Sequence, residues 1–100
     1  MRYANRTDSN HAEVRDGLRK IPGVYVLDLS VFPGLGADLL VRYQDRAPTF
    51  VEVKASPKDR LTPSEKKLSK SMAGFWYRVT TLEEAFDALG IAYERAPDNW

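Results

Sequence analysis

A chain of 100 residues without cysteine can hold one hydrophobic core, and it excludes a disulfide framework and any thiolate metal site. Its 43% hydrophobic and 29% charged residues exclude a disordered chain. No apolar run approaches the ~20 residues of a bilayer crossing, and "MRYANRTDSN" lacks the apolar middle of a signal peptide, so a soluble, cytoplasmic protein is expected.

The net charge of +1 conceals an asymmetry: residues 1–80 carry fourteen Lys and Arg against nine Asp and Glu, a balance of +5. Residues 81–100 carry Glu83, Glu84, Asp87, Glu94 and Asp98 against Arg95. Such counts describe a mixed solvated surface unless the bases gather around a site.

In chain order, "TDSNHAEVRDGLRKI" predicts a helix, with Asp8 or Ser9 as N-cap and Val14, Leu18 and Ile21 at helical spacing. Pro22-Gly23 ends it. "VYVLDLS" predicts a strand, "VFPGLG" a turn-rich connection, and "ADLLVRY" and "TFVEVKA" two strands joined as a hairpin by "QDRAP". "TPSE" supplies Thr62 as N-cap, Pro63 at the first helical position and Glu65 to close a capping box. The helix that follows carries only Leu68 and Met72 on its apolar side and ends near Gly74. "FWYRV" predicts a further strand. "TLEEAFDALG" repeats the device, with Thr81 as cap, Glu84 completing the box, Leu82, Ala85, Phe86 and Leu89 on one face and Gly90 as the stop. The tail "IAYERAPDNW" reads as a short strand or a docked arm. No internal repeat or low-complexity segment is present. The expected fold is α/β, a mixed sheet of four strands flanked by helices, because a strand that follows a helix usually returns parallel to its sheet.

The chemistry starts from "TFVEVKAS". Side chains alternate across a strand, so Glu52 and Lys54 share one face while Val51 and Val53 take the other. With "QDRAP" as the whole loop, Tyr43 pairs with Thr49 and Asp38 comes opposite Lys54; a two-residue slip places it opposite Glu52. Either even register gathers Asp38, Glu52 and Lys54 on one face, and an odd one would bury charge and expose valine. Taken alone, E-x-K is more often a surface ion pair worth under ~1 kcal/mol. With Asp38 on the same face, two carboxylates with room for water suit Mg2+ or Mn2+, and a lysine beside them suits phosphodiester hydrolysis.

Asp38 followed by Glu52-x-Lys54 resembles the PD-(D/E)XK nuclease signature. The wider pattern, "RTDSNHAE", "GADLLV", "FVEVK", "LTPSE" and "TTLEEAFDALG", over about residues 6–90 of a single domain spanning 1–100, resembles the VRR-NUC (virus-type replication-repair nuclease) branch, in particular its small stand-alone phage forms. The resemblance implies a restriction-endonuclease-like αβββαβ core with a C-terminal helix. It implies Asp38 and Glu52 as ligands of Mg2+ or Mn2+, Lys54 as the catalytic lysine, the Val53 carbonyl as a further ligand, and Glu13 as an acidic residue reaching from the first helix. Ala37 departs from the family's usual proline, which costs rigidity at the strand entry rather than chemistry. The implied activity is DNA endonuclease by a homodimer, on plain duplex or selectively on Holliday junctions and other branched DNA.

Other residues have plainer readings. Glu13 adjoins the inward-pointing Val14 and so lies at the edge of the buried stripe, where a solvated role competes with a metal role. His11, the only histidine, cannot begin a zinc site and reads as a first-turn polar residue that could touch DNA or water. Thr62 and Glu65 read as helix caps, and Trp76 and Tyr77 straddle a strand, at least one of them for packing. Lys54, Lys58, Arg60, Lys66, Lys67 and Lys70 fall within seventeen residues; alone they are a solvated face, and beside a metal-and-lysine site a phosphate-binding rim that reads backbone rather than bases. The competing class is a non-catalytic DNA-binding or assembly module that keeps the nuclease fold.

Overall fold

The computed structural model describes residues 9–92, with side chains from Asn10. The order is α1 (Ser9–Arg19), β1 (Val24–Asp28), β2 (Leu39–Tyr43), β3 (Thr49–Val53), α2 (Pro63–Ser71), β4 (Trp76–Val79) and α3 (Leu82–Leu89). The alternative N-cap Asp8 lies outside the described residues, Ser9 lies within the helix, and the tail beyond Ala92 is likewise not described.

The four strands form one mixed sheet in the order β1-β2-β3-β4, antiparallel except for the parallel pair β3–β4. A parallel neighbour needs a crossover, and α2 provides it. Residues of odd number in β2 and β3 point to the face covered by α1 and α3. There Val14 and Leu18 of α1 and Ala85, Phe86 and Leu89 of α3 close over Leu39, Val41, Val51, Val53 and Val79 in one continuous core. Leu39 is fully buried, and its truncation to alanine would cost about 2–5 kcal/mol. Gly17 lets the two helices approach, since a Cβ there would collide with the Leu82 side chain.

The even-numbered face carries the charges. Leu39 pairs with Val51, Leu40 with Phe50 and Val41 with Thr49, which continues to Asp38 opposite Glu52. Of the two even registers, the slipped one is adopted. The strands part early: β2 leaves β3 at Val41 but stays paired with β1 through Tyr43, which faces Val24. Gln44 then turns the chain with φ 57°, its N–H donating to the Gly23 carbonyl at 2.7 Å.

Both forecast helix caps exist, in different forms. Thr62 and Glu65 make a reciprocal capping box on α2. On α3 the Thr81 hydroxyl accepts from the Glu84 N–H, but the Glu84 carboxylate reaches one residue further back, to the N–H and hydroxyl of Thr80, so the box is not closed on Thr81. Gly90 takes the left-handed stop at φ 72°. Among the described residues no helix is long and apolar enough to cross a membrane.

Candidate active site

The candidate site lies where β2 begins and β3 ends. Asp38 stands immediately before β2, its N–H donating to the Val51 carbonyl at 3.1 Å. Its Oδ2 accepts from the Val53 N–H at 2.9 Å, so the carboxylate is pinned against β3. The approach of the chain to this point depends on Gly36 (φ 105°), where a Cβ would lie 2.7 Å from the Ser64 carbonyl oxygen. Only glycine lets the loop rest on the first turn of α2. Glu52, opposite Asp38, is buried with 4% of its surface exposed. Lys54 follows directly, its Nζ 3.4 Å from Glu52 Oε2 and 2.9 Å from Glu65 Oε1. That same Glu65 oxygen accepts from the Thr62 N–H at 2.8 Å. One carboxylate oxygen therefore caps α2 and holds the lysine.

Burial, followed by the negative charge of Asp38, pushes Glu52 up to about 9. Burial also raises Asp38, against the stabilising Val53 N–H. The two carboxyl groups resist being ionised together without a cation. Lys54 does not cure this for Glu52 because its shorter contact is to Glu65. Burial works against the charge on Lys54, yet the hydrogen bond to Glu65 and the charges of Glu52 and Glu65 outweigh it and raise its pKa. Glu65 is held low: burial opposes its charge, and the bonds from Lys54 and the Thr62 N–H overcome it. The site thus combines a fixed ammonium with two carboxyls short of positive charge.

A cavity of about 380 Å³ opens onto Asp38, Glu52, Thr62 and Glu65 and is bounded by the β1–β2 loop. The start of α1 is fastened to the same end of the sheet, the Asn10 side chain donating to the Thr80 carbonyl at 2.9 Å. His11 is buried with Nε2 3.6 Å from Asp28 Oδ2, and Arg15 donates to the same oxygen at 3.1 Å. Although burial opposes its charge, the bonds from Ser30 and Arg15 bring the Asp28 pKa down to about 2.

The structure brings together Asp38, Glu52, Val53 and Lys54, as the sequence indicated, and does not bring Glu13 to them. Glu13 is exposed. Two helical steps turn it about 200° from the buried His11, whose imidazole lies against Asp28 instead. Among the described residues no group of three or more His, Cys, Asp or Glu side chains is arranged to hold a metal ion. Lys58 and Arg60 lie exposed on the β3–α2 connection, and Lys66, Lys67 and Lys70 lie exposed on α2. Lys67 lines a hollow that shares Gly34, Leu35 and Ser64 with the carboxylate cavity. Two features were missed from sequence: the grip of Glu65 on Lys54, hidden behind a complete capping signal, and the His11–Asp28–Arg15 cluster, for which the only sign was a carboxylate ending an apolar strand.

No protein-family model matches the chain, and no curated protein and no solved structure matches it.

Proposed function

We propose that this protein is a Mg2+- or Mn2+-dependent endonuclease that hydrolyses DNA phosphodiester bonds. The observation that carries this reading is the burial of Asp38 and Glu52 side by side at an open cavity, both resisting ionisation, beside a lysine locked in its charged form. The donor set fits the metal. Two carboxylates that leave room for water suit a hard octahedral cation, whose charge would relieve their repulsion. The N–H and C=O of one strand residue point to the same edge, and the Val53 N–H is directed at Asp38, so its carbonyl is a third oxygen on that side. When bound, the ion would supply charge neutralisation at the phosphate and activation of water.

The chain's own residues do the positioning. Asp38 is fixed by Val53. Lys54, with its pKa raised rather than lowered, keeps its proton at neutral pH, which makes it a source of fixed positive charge for a phosphoryl oxygen rather than a general base. Lys67, in the adjoining hollow, offers a cation for a flanking phosphate, and Lys58, Arg60, Lys66 and Lys70 add exposed positive charge on the β3–α2 connection and on α2.

Pairing of two copies accords with the bare part of the even-numbered face. Tyr25 and Leu27 of the edge strand β1 are 67% and 56% exposed and border, with Leu40 and Pro48, a shallow apolar hollow. A second copy covering it would place two cutting sites on one DNA, as symmetrical cleavage of a branched substrate requires.

The test is incubation of the purified protein with supercoiled, linear and four-way-junction DNA, with and without Mn2+. Cleavage only with metal, abolished by Asp38→Asn and Glu52→Gln, is the expected result. Metal-independent cleavage, or none on any substrate, defeats the reading. Light scattering at micromolar concentration decides the dimer, and equal cutting of junction and duplex removes any junction preference.

A further inference from the structure

The β1–β2 loop exposes three large apolar side chains in close succession: Val31 at 71%, Phe32 at 58% and Leu35 at 43%. A connection that served only to join strands would place polar residues there. The loop is also firmly built. The Leu29 N–H donates to the Asp38 carbonyl at 2.7 Å, the Phe32 N–H to the Leu29 carbonyl at 2.9 Å, and the Leu35 N–H to the Phe32 carbonyl at 3.3 Å. At its far end the Trp76 indole N–H donates to the Gly36 carbonyl at 2.9 Å, and Gly36 itself is pressed on α2. Both ends are therefore anchored, and the apolar tip is held out rather than folded in.

Its position identifies what it meets. Among the described residues Phe32 is the only aromatic side chain lining the carboxylate cavity. Leu35 continues the same wall into the adjoining hollow, where Lys67 stands. Phe32 and Leu35 are followed along this wall by one cation, Lys67, which is the pairing that a nucleotide asks for: a flat face for the base and a charge for the phosphate. In intact duplex the faces of the bases are covered by their neighbours, so only an unpaired or extruded base can offer one.

We infer that the β1–β2 loop is a base-stacking wedge: Phe32, with Leu35 continuing its wall, takes the face of an unpaired nucleobase next to the phosphate at the carboxylates. The inference rests on the nuclease reading and adds the feature of DNA that the site selects. It makes the substrate a strand with an unstacked base beside the scissile phosphate.

The test is equilibrium binding by the full chain in Ca2+, a larger ion than Mg2+ and less exacting in geometry, so that binding is read without turnover. The probes are a plain duplex and the same duplex carrying one unpaired 2-aminopurine. Wild type should bind the second more tightly, with a change in 2-aminopurine emission. Phe32→Ala should lose on the order of tenfold on that probe alone, at an unchanged melting temperature, and Phe32→Trp should restore it. An equal loss on both probes, or no loss, overturns the wedge. A loss accompanied by a fall in solution mass also overturns it, assigning the loop to self-association. Failure of wild type to bind either DNA would sink the nuclease reading as well, whereas failure of the wedge alone would leave duplex binding and metal-dependent cleavage in place.

Discussion

The chain writes the same four-residue device twice, Thr62-x-x-Glu65 before α2 and Thr81-x-x-Glu84 before α3, and the two copies differ in what their glutamates do. The threonines behave alike, accepting from the N–H three residues on at 3.2 and 3.1 Å. Glu84 is exposed and spends its carboxylate on Thr80. Glu65 is buried, closes its box on Thr62, and holds Lys54 with the same oxygen. A local capping signal thus fixes where a helix starts but not what else its carboxylate touches. That second contact is set by which element lies over the helix, and for α2 it is the end of β3.

The largest difference should appear on removing each glutamate. Glu65→Ala loses a cap and leaves a partly buried lysine with only its longer contact to Glu52. It should cost about 2–4 kcal/mol and lower cleavage on the order of a hundredfold. Glu84→Ala should cost under about 1 kcal/mol and leave cleavage unchanged. Because one Glu65 oxygen makes both contacts, an amide oxygen can make them too. Glu65→Gln should therefore keep the cap but lose the negative charge that holds Lys54, costing less than Glu65→Ala and lowering cleavage by a smaller factor. Chemical denaturation and initial rates measure all three; equal losses from Glu65→Ala and Glu84→Ala would erase the comparison.

Acidity separates the site from the caps next. Glu65 and Glu84 have lowered pKa values, so their stabilisation is present above the ordinary carboxylate range and is lost as pH falls. Glu52, raised from 4.5 to about 9, has the opposite sign. Between those values the folded protein holds a proton that the unfolded chain has released, so this contribution is lost as pH rises. Without metal, wild type should become less stable than Glu52→Gln between pH 5 and pH 8.5, by an amount of order 1–3 kcal/mol at the upper end. Mg2+ should recover the loss in wild type and do nothing for the variant. Thermal melts with and without Mg2+ check this, and a gap that narrows with rising pH would contradict it.

The helices also differ in what they show to solvent: Lys66, Lys67 and Lys70 on α2, Glu83 and Asp87 on α3. Replacing the three lysines by serine should lower the slope of log binding against log salt by roughly 0.9 for each phosphate that is no longer neutralised. Replacing Glu83 and Asp87 by serine should leave it unchanged. Fluorescence anisotropy across a salt series measures both, and an unaltered slope in the lysine variant returns α2 to the solvated surface.

Much of this was legible in the sequence for a physical reason: caps, helical spacing and strand alternation are local. Thr62, Pro63 and Gly90 stand where their backbone geometry demands them, and the valines of β3 forced Asp38, Glu52 and Lys54 onto one face. What was not legible depended on contacts between distant parts of the chain. Neither the choice between two even registers nor the early parting of β2 from β3 at Val41 is encoded in the composition of "QDRAP". Glu13 and His11 are two residues apart, and only the docking of α1 through Asn10 decides that the histidine turns inward, to Asp28, while the glutamate faces solvent. Glu65 hid because a capping box accounts for it completely until α2 and β3 are placed together.

The smallest expected effect is the most exacting for the comparison. If the two devices differ only in their glutamates, Thr62→Ala and Thr81→Ala should be equivalent, because each removes one hydroxyl acceptor at nearly the same distance from an N–H in the first turn. Each should cost about 1 kcal/mol. Thr62 also lines the carboxylate cavity, and Thr81 does not. Cleavage measured well below both melting temperatures is therefore the informative readout. Both variants should cut at the wild-type rate, since the Thr62 backbone N–H that engages Glu65 survives the substitution. A Thr62→Ala protein that lost activity while costing no more stability than Thr81→Ala would move the Thr62 hydroxyl out of the helix cap and into the chemistry of the site.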